Sequence, residues 1–95
     1  MSDPTLLVLA SLADGAKHGY AMMEDIERFA GMRLGPGTLY GAITRLERQG
    51  WIKPVASDER RQPYTLTGSG REYLKTQLDT LDRLVKTAAR RLKHA

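Results

Sequence analysis

The chain has 95 residues and a formal net charge of +4 at pH 7. This length fits one domain, and its 41% hydrophobic residues suffice for a modest core. The absence of cysteine excludes disulfides, thiol catalysis and a thiolate zinc site. No apolar run reaches the ~20 residues of a transmembrane helix, and Asp3 and Pro4 stand where a secretion signal would be basic. From these absences we expect a cytoplasmic protein. We also expect a binding function, because so short a chain has little room for a catalytic pocket.

The charge is unevenly distributed along the chain. Residues 1–30 include two basic and five acidic residues, which gives −3. Residues 31–70 include six basic and three acidic residues, giving +3, and residues 71–95 include seven and three, giving +4. The basic middle and end of the chain suggest a polyanionic partner. Without other evidence, however, the charge distribution favours the simpler interpretation of an unevenly charged, solvated surface.

Three helices are predicted in the first half of the chain. Pro4 suits the first position of a helix that Ser2 or Asp3 caps, and 14–15 ends that helix. The second helix is predicted from 18–19 to Ala30, with Gly31 as its stop. Its apolar face at helical spacing consists of Tyr20, Met23, Ile26 and Phe29 or Ala30. The third helix is predicted from Pro36 to Gly50, with a core face of Leu39, Ala42, Ile43 and Leu46.

A hairpin and a long helix complete the predicted order. Residues 51–53 and 63–66 are short β-prone runs, and the polar stretch 57–62 between them predicts a hairpin. Thr67 or Ser69 caps a last helix that meets no helix breaker up to Ala95. The predicted fold is mainly α with a short β-hairpin. It consists of a winged helix-turn-helix domain over residues 1–67 and one long C-terminal dimerisation helix over residues 68–95.

Four stretches of the chain resemble the PadR-like family of transcriptional regulators. In the family's order and spacing they are His18-Gly19-Tyr20, Pro36-Gly37-Thr38-Leu39-Tyr40, Leu46-Glu47 with Gly50-Trp51-Ile52, and Arg61 to Thr67 with Gly70. The resemblance implies a dimeric DNA-binding repressor that a small ligand releases. A single C-terminal helix is similar to the family's small subclass. Some small members hold flat aromatic ligands against a tryptophan of that helix, whereas Trp51 here precedes the hairpin.

The third helix is the predicted reader of DNA. With its apolar face directed at the core, a projection of 100° per residue places Gly37, Gly41, Thr44, Arg45 and Arg48 on the opposite face. Arg45 suits a guanine through its O6 and N7 atoms, and Thr44 suits a base edge or a thymine methyl. Thr38 and Tyr40 lie on the flanks, where hydroxyls donate to phosphate. The alternative is a surface helix with merely solvated arginines.

The hairpin tip is the second predicted DNA contact. Arg60 and Arg61 lie at or near the tip, from which arginines reach phosphates or the minor groove, and Lys53 is a weaker phosphate candidate. The alternative is a charged tip that keeps the hairpin soluble.

The last helix is predicted to pair with a second copy of the chain. Its apolar residues step by four and three, which is the a/d spacing of a two-stranded seam. These residues are Leu74, Leu78, Leu81, Val85, Ala88 and Leu92, widened by Leu84. The competing interpretation packs this helix on the first helix of its own chain, and both can hold. The basic end at 90–93 suits anionic lipid, but the helix has no aromatic apolar face, so no membrane partner is expected.

Other chemistry finds little support in the sequence. His18 and His94 have no metal-ligand spacing, and Met22 and Met23 suit core filling. No enzymatic activity and no cofactor are predicted, since no histidine or nucleophile accompanies the acidic residues of the second helix. The predicted function is therefore a transcriptional regulator that binds double-stranded DNA as a homodimer on an inverted repeat. The alternative is a winged-helix module that binds a protein instead of DNA.

Overall fold

The computed structural model describes residues 4–58 and 60–95. Within them the elements are α1 (Pro4–Ser11) with a 3-10 turn (Leu12–Asp14), β1 (Lys17–His18), α2 (Gly19–Ala30), α3 (Pro36–Arg48), β2 (Ile52–Pro54), β3 (Pro63–Leu66) and α4 (Gly68–Lys93). This order confirms the predicted winged helix-turn-helix with a long last helix. The cap predicted at Ser2 or Asp3 lies outside the described residues.

The strand β3 lies at the centre of a three-stranded antiparallel sheet, between β1 and β2. His18 pairs with Pro63 on one side, and Ile52 pairs with Leu66 on the other. The sequence does not predict β1, because two residues are too few to show an alternating pattern. The consequence of β1 is that the start of α2 is joined to the hairpin.

The core lies between the first three helices, the sheet and the first turns of α4. Its buried hydrophobic residues are Val8, Leu9, Leu12, Met22, Met23, Ile26, Leu34, Leu39, Ala42, Ile43, Leu46, Ile52, Leu66 and Leu74. The predicted core face of α3 is confirmed at all four positions, and so is the role of the two methionines in filling the core.

The predicted apolar face of α2 is wrong at both ends. Met23 and Ile26 are buried as predicted, but Tyr20 is 42% exposed and Phe29 is 51% exposed. Because Gly19 is buried, the next residue, 100° further round the helix, points outward. The buried face is therefore rotated toward Met22, and the tyrosine is left at the surface.

Both ends of α2 have the expected signals. The Nδ1 atom of His18 accepts a hydrogen bond from the backbone N–H of Ala21 at 3.2 Å, which caps the helix start. Gly31 ends the helix in the left-handed conformation, with φ of 69°, and donates its N–H to the Glu27 carbonyl.

Backbone contacts attach the start of α4 to the start of β2. The Thr67 hydroxyl accepts from the Gly70 N–H at 3.0 Å, as an N-cap, and donates to the Gly50 carbonyl at 2.6 Å. The Thr67 N–H donates to the Trp51 carbonyl at 3.0 Å. A Cβ atom added at Gly70 would collide with that same carbonyl oxygen. Only a glycine therefore lets α4 cross the chain this closely.

The first turns of α4 pack on the body, and the later turns extend from it. Gly70 and Leu74 are buried, and the Tyr73 ring stacks on Trp51 with 3.8 Å between centroids and 14° between planes. The helix has 26 residues, about 39 Å of length. The chain measures 56 Å in its longest direction but only 27 and 20 Å in the others. Most of α4 therefore extends away from the other described residues, 4–58 and 60–67, of its own chain.

We expect Gly70→Ala to lower the free energy of unfolding by about 2–3 kcal/mol, because the new methyl must displace the Trp51 carbonyl. Urea denaturation followed by circular dichroism measures this change. The matched control is Gly68→Ala, where an added Cβ meets open space and stability should be unchanged or slightly raised. Equal stability of the two variants would contradict the close crossing.

Candidate nucleic-acid interface

The outer face of α3 is exposed along the helix. Burial of its apolar stripe turns Thr44, Arg45 and Arg48 to the surface, where all three side chains are exposed. Thr38 is exposed in the first turn, and Tyr40 is 49% exposed. The predicted DNA contacts of this helix are thus all at the surface, and they combine hydroxyl and guanidinium groups.

The start of α3 packs against the start of α2 through Gly19 and Tyr40. A Cβ atom added at Gly19 would lie 2.5 Å from the Tyr40 hydroxyl oxygen, closer than real contacts allow. The tyrosine ring therefore occupies the space that a side chain at position 19 would need. Gly19 and Tyr40 therefore depend on each other: the missing side chain at position 19 makes room for the tyrosine ring.

Two contacts orient the side chains in the middle of α3. The Thr44 hydroxyl donates to the Tyr40 carbonyl at 3.0 Å, one turn back. The Nη1 atom of Arg45 lies 3.7 Å from the position of a Cβ atom at Gly41. The guanidinium therefore leans toward the start of the helix, as long helical side chains do, over a surface that the glycine leaves open.

The wing is the hairpin formed by β2, β3 and residues 55–62. The Val55 N–H donates to the Pro63 carbonyl at 3.0 Å, which extends the pairing beyond β2. The Gln62 amide donates to the carbonyls of Val55 and Pro63, both at 2.8 Å. These bonds hold the base of the tip together. Arg60 and Arg61, which precede Gln62 in the chain, lie in the tip with exposed side chains. Glu59 lies outside the described residues.

One arginine of the wing contacts α2. The Arg61 guanidinium carbon lies 5.0 Å from the centre of the Tyr20 ring, within the range of a cation–π interaction. Gly19, which precedes Tyr20 in the chain, packs against Tyr40 of α3. The start of α2 therefore contacts both the wing and the start of α3. For Arg48 and Lys53 the structure shows exposure alone, with Lys53 opposite Thr65 on the sheet.

Tyr64 of the central strand β3 has a raised pKa, which favours its neutral form. Burial raises the pKa of the Tyr64 phenol above its usual value, and the nearby Glu47 carboxylate and Tyr40 phenol act in the same direction. Tyr64 belongs to β3, opposite Lys17.

Acidic groups of the first third of the chain form local ion pairs. Arg33 donates to Glu27 at 2.7 Å, and Lys17 lies beside Asp14, whose pKa it lowers through a hydrogen bond. Asp25 accepts a hydrogen bond from the buried Ser11 hydroxyl at 2.7 Å. Asp25 and Glu27 belong to α2, and Asp14 belongs to the 3-10 turn before β1, so each of these carboxylates has a partner outside α3.

The described residues offer no sign of other chemistry. No three histidine or acidic side chains among residues 4–58 and 60–95 stand together as metal ligands. None of the helices in that part of the chain is long and apolar enough to cross a membrane.

The fold and the exposed face together define a class of protein. A helix-turn-helix whose second helix turns arginines and hydroxyls outward, beside a hairpin with arginines at its tip, is a winged-helix DNA-binding protein. A family description of PadR-like transcriptional regulators matches residues 8–76. The chain belongs to this family, whose members are DNA-binding regulators without enzymatic activity. The expected resemblance and the prediction that the chain is not an enzyme are therefore confirmed.

Two proteins of known sequence are similar to most of this chain. A transcriptional regulator of Mycobacterium tuberculosis is 32% identical over 84 residues, which cover 85% of this chain and 78% of that protein. An uncharacterised 37.1 kDa protein in a transposon of Streptomyces fradiae is 46% identical over 83 residues, or 87% of this chain. The matched part is 24% of the Streptomyces protein, so this chain spans about a quarter of that relative.

Solved structures of regulators share the whole architecture. A PadR family transcription regulator from Clostridium difficile superposes with a TM-score of 0.84 at 25% identity, covering 93% of this chain and 96% of that one. A transcriptional regulator from Clostridium thermocellum has a TM-score of 0.80 at 28% identity, covering 90% and 89%. Since both alignments cover nearly the full length, the long last helix belongs to the shared fold.

Tyr20 is the residue of this surface that sequence reasoning missed. Helical spacing assigned it to the core face of α2, whereas it is exposed and contacts a wing arginine. No local pattern in the sequence indicates this contact, because it joins residues that are 41 positions apart in the chain.

Proposed function

We propose that the chain acts in the cytoplasm as a homodimer that binds an inverted-repeat operator in double-stranded DNA and represses transcription. The observation that carries this proposal is the exposed face of α3 beside the wing, joined through the start of α2. This surface fits the major groove with the helix and the adjacent backbone with the hairpin.

The α3 side chains divide into two roles in this proposal. Arg45 reads a guanine through O6 and N7, and Thr44 contacts a neighbouring base edge or thymine methyl. Thr38 and Tyr40, in the first turns, donate to phosphate together with the backbone N–H groups of the helix start. The open surface at Gly41 supports this division, because it lets the helix approach the groove beside the Arg45 guanidinium.

The remaining basic residues contact the phosphate backbone in this proposal. Arg60 and Arg61 reach phosphates or the minor groove from the wing, and Arg48 and Lys53 contribute from α3 and β2. Their exposure and positive charge support this role.

The later turns of α4 form the proposed dimer interface. Leu78 is 51% exposed and Leu92 is 78% exposed within the protomer, which is unfavourable for apolar side chains unless a partner covers them. Leu74 packs in the core of its own protomer. The proposed seam is therefore carried by Leu78, Leu81, Leu84, Val85, Ala88 and Leu92. Two-fold pairing along it spaces two α3 helices by about one turn of DNA.

A small-molecule effector, if the regulator is ligand-released, would bind between protomers. The described residues of one chain form no pocket, and pairing of two α4 helices supplies a place where one could form. This placement supports an effector site at the dimer interface rather than within one winged-helix body.

Titration of the protein against the DNA upstream of its own gene tests the proposed function. We expect one dimer per inverted repeat. The affinity should fall about ten-thousand-fold between 50 and 200 mM salt if four basic groups per protomer displace counterions. Fluorescence anisotropy measures the affinity, and footprinting locates the repeat. Absent or salt-independent binding would contradict the proposal and favour a winged-helix module that binds a protein.

Two arginine substitutions separate base reading from phosphate binding. We expect Arg45→Ala to reduce the preference for the operator over unrelated DNA by about 1–3 kcal/mol, because a bidentate guanine contact is lost. Arg60→Ala should weaken binding to all sequences alike and lower the salt slope by about two, since each dimer loses one phosphate contact per protomer. Competition titrations against operator and random duplexes measure both effects. Arg83→Ala on α4 is the matched control and should change neither, and a reversed pattern would exchange the two roles.

A lysine in the seam should separate the dimer. Val85→Lys places a charge at a position that is 64% exposed in the protomer, so the fold should survive while pairing is lost. Analytical ultracentrifugation is expected to show a monomer whose helical content is unchanged. Thr76→Lys is the matched control, because it adds the same charge on the opposite face of α4. A Val85→Lys dimer would place the interface elsewhere.

A further inference from the structure

The pairing of β1 with β3 brings Tyr20 to the wing. His18 lies opposite Pro63 and Lys17 lies opposite Tyr64 in this antiparallel pair. The register, continued by two residues beyond His18, places position 20 opposite position 61. The chain has turned into α2 at that point, yet the Arg61 guanidinium still lies over the Tyr20 ring at 5.0 Å. The pairing of β1 with β3 thus brings the start of α2 close to the end of the wing, where the contact forms.

The chemistry of this contact leaves the arginine able to bind DNA. A guanidinium over an aromatic ring is attracted through its face, whereas its N–H donors lie in its plane. Those donors remain available to a phosphate. The ring also restricts a long side chain that would otherwise lose much rotamer freedom on binding.

The same tyrosine is tied to the recognition helix through its neighbour. Gly19 is buried against Tyr40. Tyr40 lies at the beginning of the second turn of α3 and is half exposed. A shift of the α2 start would therefore disturb both the wing and α3. Tyr20 itself is 42% exposed and contributes little to the core.

We propose that Tyr20 is a positioning residue for DNA binding, which holds Arg61 and thereby sets the wing against the recognition helix. This inference rests on the proposed function, since it assigns a task to Tyr20 only if the wing contacts DNA. The tyrosine ring acts through the arginine and makes no contact of its own with the nucleic acid.

The test is a set of double-mutant cycles on binding to the duplex from upstream of its own gene. Tyr20→Leu should weaken the affinity at least about twofold per protomer, because an unrestrained Arg61 side chain must then lose its rotamer freedom on binding. In an Arg61→Ala background the same substitution should have no further effect. In an Arg60→Ala background it should keep its full effect, because Arg60 is the adjacent arginine without this ring beneath it. Tyr20→Phe keeps the ring and should bind within about twofold of the wild type.

Several outcomes overturn the inference. Loss of affinity in Tyr20→Phe equal to that in Tyr20→Leu would show that the hydroxyl itself contacts DNA. Equal effects of Tyr20→Leu in both arginine backgrounds would show a general structural role, which a lowered unfolding temperature would also reveal. Unchanged affinity in Tyr20→Leu removes the role altogether. In each of these cases the wild type binds DNA, whereas absence of wild-type binding would refute the proposed function instead.

Discussion

The central strand β3 is the constraint on which the rest of the structure depends. It has four residues, yet it pairs with β1 on one edge and with β2 on the other. Its first residue continues from the wing tip, and its last residue leads directly into Thr67, the cap of α4. Because antiparallel pairing sets the register on both edges, this strand fixes the positions of the wing, the α2 start and the α4 start together.

Two glycines convert that sheet into a compact winged body. Gly70 lets α4 cross the Trp51 carbonyl, and Gly19 lets Tyr40 pack on the start of α2. Without a Cβ atom at these positions the neighbouring backbone or ring comes closer than any side chain would permit. The first crossing anchors the base of the long helix, and the second one links the two helices of the helix-turn-helix. The exposed face of α3 and the exposed turns of α4 thus extend from a body held by close backbone contacts.

Sequence patterns predicted the elements with strong local signals. The third helix shows why: it begins at a proline, and its stripe from Leu39 to Leu46 matches the helical period, so its start and its outer face followed. Its end at Arg48 falls two residues before the predicted Gly50. The cap at Thr67 is equally local. The face of α2 was wrong because aromatic residues at either end widened its apolar stripe, and only tertiary packing shows which residues of that stripe are buried. The strand β1 escaped notice because its two residues are defined by their partner.

The sequence by itself determined the order of the helices and the hairpin, the charge division and the outward placement of Thr44, Arg45 and Arg48, since these follow from local propensity and helical periodicity. It also contained the heptad spacing of α4. The tertiary structure alone decided that α4 divides after Leu74 into buried and extended parts. It alone also placed Arg61 over Tyr20. These features depend on contacts between residues far apart in the chain, and such contacts follow from strand register and close packing rather than from any local pattern.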